Sequence, residues 1–328
     1  MTTSLTDPIE SSAGEPARFP LVFGLDTFGD VTHDRDDSPL SHAQTIRNLV
    51  EQGVLADQVG VDFFGIGEHH TDDMPLSAAD VVLAAIAART SRIHIGSAVT
   101  VLSSDDPVRV FQRFSTLNAL SDGRAEVILG RGSSVDSFPL FGFNLADYEE
   151  LFEEKVNLFA ELLKDGPVSW QGNTRASLSN QDVVPHLESG PFPVWLGVGG
   201  SPQSVVRAAH YGFSLMLAII GGSPARFAPF SQLFRQALES YGRSMLPIGA
   251  CTRPVTLPSP TRRPAKSSGL ATWRSSLATA KPEVLRSQRR RPSPTRSDPK
   301  VRSSSDLQKP WPKRSRRISR FSARIASI

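Results

Sequence analysis

The stretch at residues 61–70, VDFFGIGEHH, decides how the rest of the chain is read. It runs apolar residues and two glycines straight into one acid and two adjacent histidines. A short run of Val, Phe and Ile without helical period reads as a strand covered on both faces. In a barrel of alternating strands and helices, the ends of such strands are where reactive side chains gather.

Runs of the same kind recur on either side: LVFGLDTF (21–28), RIHIGSAVTVL (92–102), RAEVILGR (124–131), PVWLGVGG (193–200), FSLMLAII (213–220) and a weaker LPIGA (246–250). Helical stretches separate them. Residues 41–60 open on a capping Ser, residues 77–91 are rich in Ala and Leu, and residues 106–123 start with Asp-Pro and finish in Gly. Residues 147–166 place Leu151, Phe152, Val156, Phe159, Leu162 and Leu163 on one face, and residues 201–212 and 223–242 each begin with Ser-Pro and end in Gly. Six strand–helix units and a seventh strand predict an α/β fold, a (β/α)₈ TIM barrel with its site at the C-terminal mouth. A doubly wound open sheet is the rival, but nothing like GxGxxG follows the first strand.

Charge divides the chain sharply. Through residue 250 there are 16 Lys and Arg against 30 Asp and Glu, a net −14; from 251 there are 20 against 3, a net +17. From Cys251 onward Arg, Ser, Pro and Thr dominate without a sustained apolar period, so the expected strand eight and last helices cannot be drawn from it. The expected organisation is a disordered leader at 1–18, a barrel truncated after strand seven at 19–250, and a basic tail at 251–328 that is disordered or the product of a shifted reading frame. Were the tail genuine, its charge would suit nucleic acid or an anionic surface.

One cysteine excludes an internal disulfide, no apolar run approaches a membrane span, and the N-terminus lacks a signal-peptide core. Cytoplasmic location without membrane contact is expected.

Three places carry candidate chemistry. Glu68, His69 and His70 are all metal-ligand types, but adjacent histidines rarely share one ion and no further His or Cys cluster accompanies them, so no metal is expected. A plain hydrogen-bonded strand end is the competing reading. LGRGSS (129–134) sets Arg131 between glycines, suited to a phosphate or a planar ring, or else to a tight turn with a solvated Arg. GVGGSPQS (197–204) leads from a strand into a helix start, where free N–H groups favour an anion.

In combination these motifs are specific. GLDTFG, GIGEHH, GSAVTVLSSDDPVRVFQRF, RAEVILGRGS, the acidic helix after FPLFGF, and WLGVGGSPQSVVRAAHYG resemble, in order, the bacterial luciferase-like flavin-dependent monooxygenases over about residues 19–250. The resemblance implies FMN, less often the deazaflavin F420, at the barrel mouth. It also implies reduced flavin supplied by a separate reductase, a small organic substrate and a homodimer through barrel helices. Carried onto this chain, it makes His69, with Glu68, the catalytic pair at the flavin's reacting edge, in acid–base work or hydrogen bonding. It sets His70 beside the cofactor, Ala98, Val99 and Thr100 against the ring, Gly130, Arg131 and Gly132 at the ring or phosphate, and Gly199, Gly200 and Ser201 at a phosphate turn. The light-emitting members carry a cysteine where this chain has Gly130, so light emission is not expected and an oxidoreductase is.

Overall fold

The computed structural model describes residues 19–251, apart from 133, 188–189 and 221–222. The expected leader and all of the basic tail beyond Cys251 lie outside the described residues.

In chain order the elements are β1 (Gly24–Thr27), α1 (His42–Val59), β2 (Phe63–Ile66), α2 (Ala79–Ala87), β3 (His94–Val101), α3 (Pro107–Leu120), β4 (Ala125–Gly130) and α4 (Ser137–Phe141). There follow α5 (Tyr148–Leu162), β5 (Val168–Trp170), β6 (Leu178–Gln181), β7 (Val194–Val198), α6 (Pro202–Tyr211), β8 (Ser214–Ala218), α7 (Ala228–Ser240) and β9 (Ile248–Cys251). Seven parallel strands form one sheet in the order β1, β2, β3, β4, β7, β8, β9, with helices in between, which is the expected barrel without an eighth strand among the described residues. The antiparallel pair β5–β6, inserted between α5 and β7, was not expected from the sequence.

Local chemistry sets the helix ends. Ser41 caps α1, its hydroxyl accepting from the Gln44 amide, and Asp106 caps α3 by accepting from Val108 and Arg109 with Pro107 next in line. Ser201 caps α6 in the same way through Ser204 N–H. The stretch expected as one helix at 223–242 divides into a 3₁₀ turn, Pro224–Phe227, and α7.

The core lies between strands and helices. Phe114, Phe152, Phe159 and Phe234 are fully buried there, and α5 turns its Leu151, Phe152, Val156, Phe159 face inward as its spacing predicts. In the seven-stranded sheet the registers run evenly except at one place. Ala98 pairs with Ile128 and Thr100 with Leu129, so Val99 is an extra residue in β3, and the Ala98–Val99 peptide is cis.

Candidate functional site

Four glycines make room for that irregular point of β3. A β-carbon on Gly65 would meet Ala98 Cβ at 2.9 Å, and one on Gly67 would meet the Ala98 carbonyl oxygen at 3.0 Å. On the other side a β-carbon on Gly130 would lie 2.5 Å from Val99 Cγ2, and one on Gly197 3.3 Å from Val99 Cγ1. The glycines of GIGEHH, LGRGSS and GVGG thus clear a single volume for Ala98 and Val99. Gly130 is small because Val99 stands where its side chain would be.

β2 delivers Glu68, His69 and His70 to the C-terminal end of the sheet. The two histidines diverge, as successive residues of an extended segment must. His69 is 8% exposed and packs edge-on to Phe28 with ring centroids 5.2 Å apart, and its Nδ1 is buried without a hydrogen-bond partner. Burial lowers its pKa, partly opposed by Asp136 and Asp30, so the ring is neutral at pH 7. His70 turns towards Glu68, with Nε2 3.0 Å from Oε1, and rests edge-on against Phe141. Glu68 also accepts from the Val101 amide at 3.2 Å. Burial raises the Glu68 pKa, although these two hydrogen bonds pull it back.

Asp136, unremarked in the sequence, accepts from the His70 amide at 2.8 Å. Partial burial works against its charge, but bonds from Ser134 and that amide hold its carboxyl below the ordinary range. Lys155 is a second surprise: it sits on the apolar face of α5, 3% exposed, its ammonium donating to the Ser103 carbonyl at 2.6 Å and lying 4.1 Å from the Phe143 ring centroid. Burial lowers its pKa to about 8.

A cavity of about 290 Å³ joins Glu68, Val99 and Thr100 to Asp80, Asp105 and Arg113. Arg131 and the Gly199–Ser201 turn are not on its wall. They follow β4 and β7, which are neighbours in the sheet. The β4–β7 register pairs Leu129 with Leu196, so its continuation sets Arg131 beside Val198, one residue from Gly199. Gly199 and Gly200 are exposed, and a β-carbon on either would meet nothing within 4 Å, which leaves open space over the turn. Gly200 has φ 148°, a conformation that side-chain-bearing residues rarely adopt. Arg131 pairs with Glu149 at the start of α5 and lies 5.3 Å from the Tyr148 ring centroid, while the Tyr148 hydroxyl donates to the Gly132 carbonyl at 3.0 Å. Of the residues expected at the site, Glu68, His69, His70, Ala98, Val99 and Gly130 are therefore brought together. Thr100 lines the cavity with Glu68 and Val99, while Arg131, Gly132, Gly199, Gly200 and Ser201 follow the ends of the neighbouring strands β4 and β7.

A profile of the luciferase-like monooxygenase family matches residues 27–309, beginning in β1 and extending beyond the stretch over which the motifs were recognised. An uncharacterised protein of Sinorhizobium fredii is 25% identical over 206 residues, 62% of this chain and 58% of its own length. The luciferase-like monooxygenase of Escherichia coli is 29% identical over 184 residues, 54% of this chain and 48% of its own. The chain thus spans about half the length of the curated relatives it matches. Among solved structures, the monooxygenase RslO1 of Streptomyces bottropensis superposes with a TM-score of 0.63 at 21% identity, covering 71% of this chain and 70% of its own. The oxygenating constituent of 3,6-diketocamphane monooxygenase from Pseudomonas putida, in complex with FMN, gives 0.59 at 17%, covering 69% and 65%. An F420-dependent secondary alcohol dehydrogenase gives 0.55 at 21%, covering 62% and 64%. At these identities the structures show the shared fold. The profile shows more: the chain belongs to the luciferase-like monooxygenase family.

Proposed function

We propose that this member of the luciferase-like monooxygenase family is an oxidoreductase that binds FMN, reduced by a separate reductase, and oxidises a small organic molecule. The observation that carries the reading is the buried, unpartnered Nδ1 of a neutral His69 at the end of β2. A buried polar atom left without a partner costs stability, so it marks a position kept for a ligand. The residues present fit the cofactor: Arg131 offers a planar donor for phosphate, the turn at Gly199 and Gly200 leaves open space, and Ala98 and Val99 supply an apolar surface for a ring. Bound reduced FMN would supply the electrons by which O₂ oxidises the substrate.

The chain's own groups then have distinct duties. His69, uncharged, can accept a proton at Nδ1 or direct a hydrogen bond there. Glu68, bridging His70 and the Val101 amide, fixes the β2 end against β3. Phe28 holds the His69 ring edge-on.

Replacing His69 by Ala is expected to lower turnover about 10²- to 10⁴-fold, the range for a positioned acid–base group, with FMN affinity changed much less. Steady-state turnover beside an FMN titration checks this; undiminished turnover in His69→Ala would refute the assignment.

A further inference from the structure

The Arg131 guanidinium, the proposed phosphate partner, already has an anion: Glu149 of α5. Glu149 is shared. Its second oxygen, Oε2, lies 3.9 Å from Nη2 of Arg207, which reaches across from α6. Arg207 is held in place by other contacts. Its Nε donates to Glu153, the Tyr211 hydroxyl donates to the same carboxylate at 3.0 Å, and its guanidinium lies 5.5 Å from the Phe152 ring centroid. Nη1 of Arg207 is buried with no hydrogen-bond partner, so the guanidinium keeps donor capacity beyond its bond to Glu153.

We infer that Glu149 is a displaceable internal anion: it occupies Arg131 until a phosphate takes its place, and Arg207 then keeps the displaced carboxylate. The inference rests on the reading that Arg131 receives the cofactor's phosphate. Its physical basis is the asymmetry between the two arginines. The Glu149 side chain is 66% exposed and that of Arg131 26%, so solvent screens their pair and little is lost when it opens. A phosphate carries more charge and more acceptor oxygens than a carboxylate, and outcompetes it at a guanidinium. A released Glu149 left beside the phosphate would repel it. The Arg207 side chain, 14% exposed and with a vacant donor, gives that carboxylate somewhere to go. Glu149 and Arg207 are on this account positioning residues that tune phosphate affinity without touching the ring.

The test uses the full chain and two probes. Thermal melting in inorganic phosphate against chloride at matched ionic strength reads the latch alone; titration with FMN and with riboflavin reads it in the cofactor. Glu149→Gln is expected to lower the phosphate concentration for half-maximal stabilisation about 3- to 10-fold, the scale of one screened charge contact. Arg207→Gln is expected to raise it by a similar factor, and Arg207→Lys, which keeps the charge, to restore it. The double variant Glu149→Gln/Arg207→Gln should behave like Glu149→Gln, because nothing remains for Arg207 to hold back. FMN should follow the same order and riboflavin should not. Unchanged or weakened phosphate response in Glu149→Gln overturns the inference. If the phosphate responses shift as stated but FMN binds no better than phosphate, the latch stands and the flavin reading falls. Tight FMN binding that ignores both positions has the opposite meaning.

Discussion

β4 and β1 belong to the same sheet and lie in runs that are both rich in apolar residues, RAEVILGR (124–131) and LVFGLDTF (21–28), yet their surroundings could hardly differ more. β4 has a strand on each side, and Ala125, Val127 and Leu129 are each 0% exposed. β1 pairs only with β2 among the described residues, leaving Leu25 49% exposed and Phe23, just before it, 67%. β9, at the other end of the sheet, pairs only with β8 among the described residues. Burial here is a property of neighbours and not of composition. Among the described residues the consequence is an unequal distribution, with burial and the candidate site concentrated around β2, β3, β4 and β7, and no strand pairing between β1 and β9.

The largest test of that contrast is truncation on either side of it. Leu129→Ala should cost about 2–5 kcal/mol, as buried leucines do, while Leu25→Ala should stay within about 0.5 kcal/mol, as exposed sites do. Chemical denaturation measures both, and equal losses would mean that β1 is covered after all.

The fit around β3 gives a smaller and more local effect. Gly130→Ala would push a methyl against Val99, at a cost of about 1–3 kcal/mol for overpacking, and adding Val99→Ala should return most of it. Additive losses in the same denaturation series would show that the two do not compete for space.

Titration sharpens the comparison further. Lys155, on the buried side, has its folded pKa lowered to about 8 from an ordinary 10.5, so between those values the unfolded chain holds more protons. Stability should therefore rise with pH across about 8 to 10.5, by on the order of 3 kcal/mol, and Lys155→Met should remove that slope. Asp26 belongs to β1. Its carboxyl fills the space a β-carbon on Gly65 would need and contacts Cys251. Although the residue keeps surface exposure, desolvation of that inward carboxyl raises its pKa, and the Cys251 thiol is pushed up to about 12 by burial first and by Asp26 second. A raised acid is stabilising in its neutral form, so its contribution is lost as pH rises above about 4. Asp26→Asn should gain stability at neutral pH, by less than about 1 kcal/mol, and gain nothing at pH 3.

Much of this was legible beforehand for physical reasons. Short continuous runs of Val, Ile, Leu and Phe bounded by turn residues favour strands, and each of the seven runs from 21–28 to 246–250 holds one or, at the last, begins one, although β1 is exposed. Ser41, Asp106–Pro107 and Ser201–Pro202 announce helix starts because their side chains or rings satisfy what the backbone there needs. What escaped depends on contacts distant in sequence. β5 has three residues and β6 a polar face, too short and too mixed for a periodic signal. The extra residue at Val99 depends on glycines in three other strands. Lys155 interrupts an apolar face and would be taken for a solvated residue. Glu149, an acid in a first helical turn, looks like a simple complement to the helix dipole until Arg131 and Arg207 are seen on either side of it.

The most direct measurement is a titration of the full chain with FMN and riboflavin, in wild type and in Arg131→Gln, followed by flavin fluorescence. The account predicts that wild type prefers FMN over riboflavin by about tenfold or more, the worth of a charge-assisted phosphate contact, and that Arg131→Gln abolishes the preference while riboflavin binding is unchanged. Equal binding of the two flavins by wild type, or a preference that survives in Arg131→Gln, would contradict it.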